Sequence, residues 1–187
     1  MTKIAVVYHS GYGHTGAQAQ AVARGAGKVA DTEVTLLTAE EAQKWELLAD
    51  ADAIIFGSPT YMGSASAQFK MFMEASSKLW YTRDWKDKVA AGFTTSASQS
   101  GDKLNTLIQL AVFAAQHGMI WVGQDLLPGN NSSTGSVNDL NRLGGFLGAM
   151  AQANSDQGPD VAPLQSDLLT AEHLGERVAT ITKRLRG

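Results

Sequence analysis

A chain of 187 residues with 44% hydrophobic and 18% charged residues can bury one full core, and this composition excludes a disordered or fibrous protein. Its 15 Lys and Arg against 18 Asp and Glu give a net charge of -3, which leaves no basic excess for nucleic acid and no polybasic run for anionic lipid. The absence of cysteine excludes disulfides, a thiol nucleophile, iron–sulfur clusters and thiolate zinc sites.

The apolar run Ile4 to Tyr8 reads as a strand buried on both faces. It is too short for a signal peptide or a membrane span, so the expectation is a cytoplasmic protein without membrane insertion. A helix follows from Thr15 to Val29, with Val22, Ala26 and Val29 on one stripe. Glu33 to Leu36 alternates polar and apolar residues, the pattern of an edge strand. Ala51 to Phe56 is a third, buried strand, followed by a helix from about Ser64 to Trp80 whose stripe is Phe69, Phe72, Met73 and Leu79. Val89 to Phe93 reads as the fourth strand. Leu104, Leu107, Ile108, Ala111 and Val112 mark the next helix, closed by Gly118, and Met119 to Val122 is the fifth strand. The stretch Gln124 to Asp167 is rich in Gly, Asn, Ser and Asp. Its Leu140, Leu143, Leu147 and Met150 suggest one short helix between exposed loops. Leu174, Val178, Ile181 and Leu185 place a last helix, with Thr170 as its expected N-cap.

Strands alternating with crossover helices predict an open parallel sheet covered on both faces, a three-layer α/β sandwich. Buried first and third strands beside a polar-patterned second strand suit the order 2-1-3-4-5. Residues 1–187 are expected to form one domain. In such a sheet the ligand lies beyond the carboxyl ends of strands one and three, where the strand order reverses.

Three loops meet at that edge. In the first, Ser10-Gly11-Tyr12-Gly13-His14-Thr15, the glycines allow a tight turn that points successive N–H groups at one concavity. Ser10 and Thr15 add hydroxyls, and the following helix adds its positive dipole end. The first acidic residue of the chain is Asp31, so no neighbour in sequence repels an anion or holds Mg²⁺. A nucleoside triphosphatase loop would end in Lys followed by Ser or Thr, where this one has His14, Thr15 and Gly16. A phospho-acceptor receiver would need carboxylates after strand one. A dinucleotide fingerprint would need a third glycine in register, and Gly16 is out of it. A monophosphate is the ligand these residues suit.

The second loop, Gly57 to Gly63, carries Pro59, Thr60, Tyr61, Met62 and Gly63, whose backbone and side chains can line a flat ring. The third carries Thr95, Ser96, Ala97, Ser98, Gln99 and Ser100, all small or polar. Such a loop can hydrogen-bond the edge of a planar ring but cannot cover its face, which stays open to a second planar molecule.

With these loops in hand, the sequence resembles the flavodoxin-like NAD(P)H:quinone oxidoreductases, the group also called tryptophan-repressor-binding proteins. The matching segments are Tyr8 to Thr15, Ile54 to Gly63, Gln68 to Trp80, and His117-Gly118-Met119. The resemblance implies a flavodoxin-like fold and an FMN cofactor. It implies that Ser10 to Thr15 hold the FMN phosphate, with Thr60 to Met62 and Thr95 to Ser100 around the ring and ribityl chain. It also implies that Tyr12 and Trp80 lie by the nicotinamide or quinone, and that His117 approaches the flavin from a neighbouring subunit of a homodimer or homotetramer. His117 has a second reading, as a histidine suited to a helix C-terminus ahead of the Gly118 cap. The expected activity is two-electron transfer from NAD(P)H to quinones or similar planar acceptors, by a ping-pong mechanism. The alternatives are a flavodoxin-type electron carrier and an FMN-binding accessory protein without turnover. No residue is assignable to a 2′-phosphate contact, so NADH and NADPH stand equal.

Overall fold

Alternate residues of the first strand serve two different cores. In the computed structural model, which describes residues 1–187, β1 (Thr2–Tyr8) sends Ile4 and Val6 into one apolar cluster and Ala5 and Val7 into another. The first cluster is closed by Ala19, Val22 and Ala26 of α1 (His14–Gly27) and by Leu174 and Val178 of α6, the last helix (Gln165–Arg186). The second is closed by Phe69 and Phe72 of α3 (Ala67–Ala75) and by Leu107, Leu110 and Phe113 of α5 (Lys103–Gln116). A buried Leu, Val or Phe contributes about 1.5–3 kcal/mol. The period-two pattern of a doubly covered strand therefore recruits helices to both faces. Phe56, Phe72, Trp85 and Phe113 form an aromatic cluster in the second core, with Phe56 and Phe113 centroids 5.3 Å apart.

The sheet has the expected flavodoxin-like order. β2 (Thr32–Thr38) pairs only with β1 and forms the edge; β3 (Ala53–Tyr61) pairs on the other side of β1, and β5 (Val89–Ser96) lies beyond β3, all parallel. Between β2 and β3 the crossover is brief, with the four-residue α2 (Glu46–Ala49) as its helix. β4 (Ser64–Ala65) folds back against the end of β3.

The fifth position differs from the expectation. It is built from two pieces: β6 (Ile120–Trp121) pairs with Val89 and Ala90, and β7 (Ala149–Gln152) pairs with Phe93 to Ser96. The intervening residues 122–148 form an insertion between the two halves. No helix spans 140–150, because Asn141 and Gly144 adopt positive φ values of 49° and 68° that break any helical run. The leucine spacing there arises from a loop. At Gly148 a Cβ would lie 2.1 Å from the Gly92 carbonyl oxygen, so only glycine lets the chain enter β7 this close to β5. The Trp121 indole N–H donates to the Leu147 carbonyl at 2.9 Å and ties the halves together.

Two helix boundaries also differ. The helix expected over 64–80 is two, α3 and α4 (Ser77–Thr82), separated at Ser76. Thr170 is not an N-cap: α6 begins five residues earlier, at Gln165. The Thr170 hydroxyl is buried, donates to the Ser166 carbonyl and accepts the Asn141 N–H, so it binds the insertion to the helix.

Candidate functional site

The carboxyl ends of β1, β3 and β5 open into a cavity of about 660 Å³, within the range of small-molecule sites. Ser10, Tyr12, His14 and Thr15 form one wall. Gly13 precedes α1 with φ 90°, a left-handed conformation that suits glycine, and α1 has no side-chain cap. The backbone N–H groups of Tyr12, Gly13, His14 and Thr15 therefore find no acceptor within the chain. Thr15 is 2% exposed and its hydroxyl makes no bond in the chain, while the Ser10 hydroxyl accepts the Gly16 N–H at 3.0 Å. This cluster of unpaired donors at the start of a fourteen-residue helix has the chemistry of a phosphate cradle.

The second wall comes from Pro59, Thr60 and Tyr61. The Thr60 hydroxyl is engaged with the hydroxyls of Thr94 and Thr106, each at 2.8 Å, so this loop offers the cavity its backbone at that residue. Tyr61 stands edge-on to Tyr12, with centroids 6.2 Å apart. His9, directly after β1, is tied to the start of α3 through Nδ1, 2.9 Å from Oγ of the N-cap residue Ser66. Burial lowers the His9 pKa against the opposing pull of Glu40. The third wall is Thr95, Ser96 and Ala97. The Thr95 hydroxyl donates inward to Gln18 Oε1 at 2.7 Å, and Gln18 in turn reaches the Ala149 carbonyl.

A fourth wall was not legible as such. Ala153 and Ser155 to Gly158, directly after β7, complete the cavity, and the His14 ring Nε2 lies 2.7 Å from the Gln157 carbonyl. The turn-rich sequence Asn154 to Asp160 was the available signal, but it becomes meaningful only once Ala149–Gln152 is a strand. This segment brings Asp156 to the rim of the cavity and Asp160 to the outer side of the first loop. The surroundings of the first loop are thus not free of carboxylates in space, although they are in sequence. Both aspartates are exposed, and solvent weakens their repulsion.

Several expected site residues lie elsewhere. Met62 has φ 48° at the β3–β4 turn and is fully exposed rather than packed along the cavity. Gly63 shapes that turn, and its carbonyl accepts from Asn105 Nδ2 at 2.7 Å. Gly11 contributes backbone. Ser98 and Gln99 turn their carbonyls into the protein, and Gln99 and Ser100 border a separate groove beside the insertion. Trp80, 43% exposed on α4, and His117, at the end of α5, stand at the opposite end of the sheet.

His117 is 2% exposed, which corrects the expectation that it reaches a neighbouring flavin. Its ring lies 4.4 Å from Trp85 and 4.9 Å from Phe113 by centroids, and Nε2 is 3.0 Å from Ser76 Oγ. Burial, with help from Arg83, lowers its pKa to about 4. It is a neutral core histidine that holds α5 against the break between α3 and α4.

The comparisons with known proteins agree with this geometry. Residues 28–132 match the family model described as NADPH-dependent FMN reductase, a span that holds the second and third loops. The chain is 45% identical over 185 residues to Flavodoxin FldP of Pseudomonas aeruginosa, covering 99% of each chain. It is 34% identical over 208 aligned residues to an NAD(P)H dehydrogenase (quinone) of Archaeoglobus fulgidus, covering 99% of this chain and 100% of the relative. Among solved structures, the flavodoxin, WrbA-like protein from Agrobacterium tumefaciens superposes with a TM-score of 0.74 at 41% identity, covering 98% and 99% of the two chains. The unpaired amides of the first loop and the ring-sized cavity beside them fit FMN, phosphate and flavin respectively. The chain belongs to the NADPH-dependent FMN reductase family, flavodoxin-like oxidoreductases with FMN as cofactor.

Proposed function

We propose that this protein catalyses two-electron reduction of quinones or similar planar acceptors by NAD(P)H, the two substrates alternating at one open flavin face. The observation that carries this reading is the third wall. Thr95, Ser96 and Ala97 provide no aromatic side chain to cover a bound ring, so one face is left for a second planar molecule.

Bound FMN would supply the hydride chemistry, and the protein supplies binding and orientation. The amides of Tyr12 to Thr15 and the Thr15 hydroxyl would hold the phosphate. The second and third walls would fix the ring. Tyr12, 76% exposed and braced edge-on by Tyr61, offers an aromatic surface for the nicotinamide or quinone. No side-chain acid or base is required. Trp80 would reach a substrate only from a second copy of the chain, in a homodimer or homotetramer.

The resemblance to a protein named flavodoxin favours one other reading, an electron carrier served by a separate reductase. Mixing the FMN-loaded protein with NADPH and a benzoquinone, with no reductase present, separates the two. Sustained NADPH oxidation with parallel double-reciprocal plots is the expected result. Absence of turnover would leave the carrier.

A further inference from the structure

Lys103 sits in the first turn of α5, where the helix dipole disfavours a cation, and it is only 1% exposed. No carboxylate pairs with it. Its three ammonium protons are matched instead by three loop oxygens: Ser96 Oγ at 2.7 Å, the Ser98 carbonyl at 2.9 Å and the Gln99 carbonyl at 2.8 Å. The charged groups acting on it are Asp167 of α6, which favours the ammonium, and Arg142 of the insertion, which opposes it. Those two are already committed to each other in a buried ion pair. Burial therefore dominates and lowers the Lys103 pKa to about 8.

A buried cation without a counter-ion is a poor way to stabilise a fold, and an apolar side chain of equal length would cost less. What Lys103 does have is a loop wrapped around it. With the loop oxygens drawn inward, the N–H groups of Ala97, Ser98, Gln99 and Ser100 make no hydrogen bond within the chain. Gln152 Nε2 holds the Ala97 carbonyl at 2.8 Å and fixes the loop from the other side. Ala97 lines the flavin cavity.

We propose that Lys103 is the positioning residue of this loop: it holds the turn that presents the free Ala97 N–H to the carbonyl-bearing edge of the flavin and sets a positive charge behind it that favours the electron-rich reduced cofactor. This rests on the FMN reading of the cavity.

The test compares the wild-type protein with Lys103→Met, which keeps the length of the side chain without its charge. FMN affinity is measured by fluorescence quenching between pH 7 and 9, and the midpoint potential of the bound flavin by equilibration with dyes. The variant is expected to bind FMN about tenfold more weakly at pH 7, the worth of one charge-assisted contact, and to hold it at a more negative potential. Wild-type affinity should fall as the pH rises through about 8, where the ammonium loses its proton, and the variant should show no such fall. Unchanged affinity, pH profile and potential in the variant, with FMN bound normally by the wild type, overturn the role of Lys103 alone. Failure of the wild type to bind FMN overturns the cofactor reading and this role together. If Lys103→Met does not fold, the wild-type profile decides, and an affinity flat from pH 7 to 9 overturns the proposal.

Discussion

A Cβ placed on Gly11 would lie 2.5 Å from the Tyr61 hydroxyl, so the loops after β1 and β3 interlock at a point where only hydrogen fits without a shift of the Tyr61 side chain. Gly11→Ala should displace the far end of the Tyr61 side chain and leave the backbone intact. The expected result is an unchanged melting temperature with FMN binding weakened severalfold. Because the contact is with the hydroxyl, the same substitution in a Tyr61→Phe background should have a smaller effect. Isothermal titration of the wild type, the two single variants and the double variant measures that coupling.

Thr15 is a buried residue whose hydroxyl has no partner in the chain, beside amides that are equally unpaired. Thr15→Val keeps the shape and removes the donor. FMN affinity should fall about tenfold, the usual worth of a hydrogen bond to a charged group. Riboflavin, which lacks the phosphate, should bind about a hundredfold more weakly than FMN, since it forgoes several such bonds. Equal affinities for FMN and riboflavin would remove the phosphate role from this loop.

His117 titrates well below its ordinary 6.5, at about 4, because burial between Trp85 and Phe113 disfavours the charged ring. The unfolded chain therefore takes up a proton at higher pH than the folded one. The stability due to neutral His117 is complete above about pH 6.5 and is lost as the pH falls from there towards 4. Urea unfolding at pH 7 and pH 5 should show this loss. In His117→Gln it should shrink by about 1–2 kcal/mol, the scale set by linkage over that interval.

Arg142 and Asp167 form a bidentate pair at 2.8 and 2.7 Å with side chains 5% and 2% exposed, and Asp167 also accepts the Gln152 N–H. Asp167→Ala would leave a buried guanidinium uncompensated and free the end of β7. The expected cost is about 3–5 kcal/mol, while Arg142→Met with Asp167→Leu should recover much of it. Chemical denaturation of the wild type and the two variants measures the difference.

Local chemistry made most of the fold legible. Doubly apolar runs such as Ile4 to Tyr8 and Ala53 to Phe56 can only be buried between two helical layers, and the polar alternation of Thr32–Thr38 marks an edge. The first loop was equally readable, since its glycines, hydroxyls and helix start act within a few residues of one another. The insertion was not. Leucines at 140, 143 and 147 mimic a helix, and the positive φ at Asn141 and Gly144 that breaks it depends on distant partners such as Thr170.

By itself, then, the sequence determined the layer order of the sheet, its edge and the donor-rich loop after the first strand, because each is set by neighbours along the chain. Tertiary structure alone decided that the fifth strand is split, that Ser155 to Gly158 wall the cavity, that His117 is enclosed and that Lys103 lies behind the third loop. Those facts depend on burial and on contacts between segments far apart in sequence, such as Gln152 with Ala97 and His14 with Gln157, which no local pattern records.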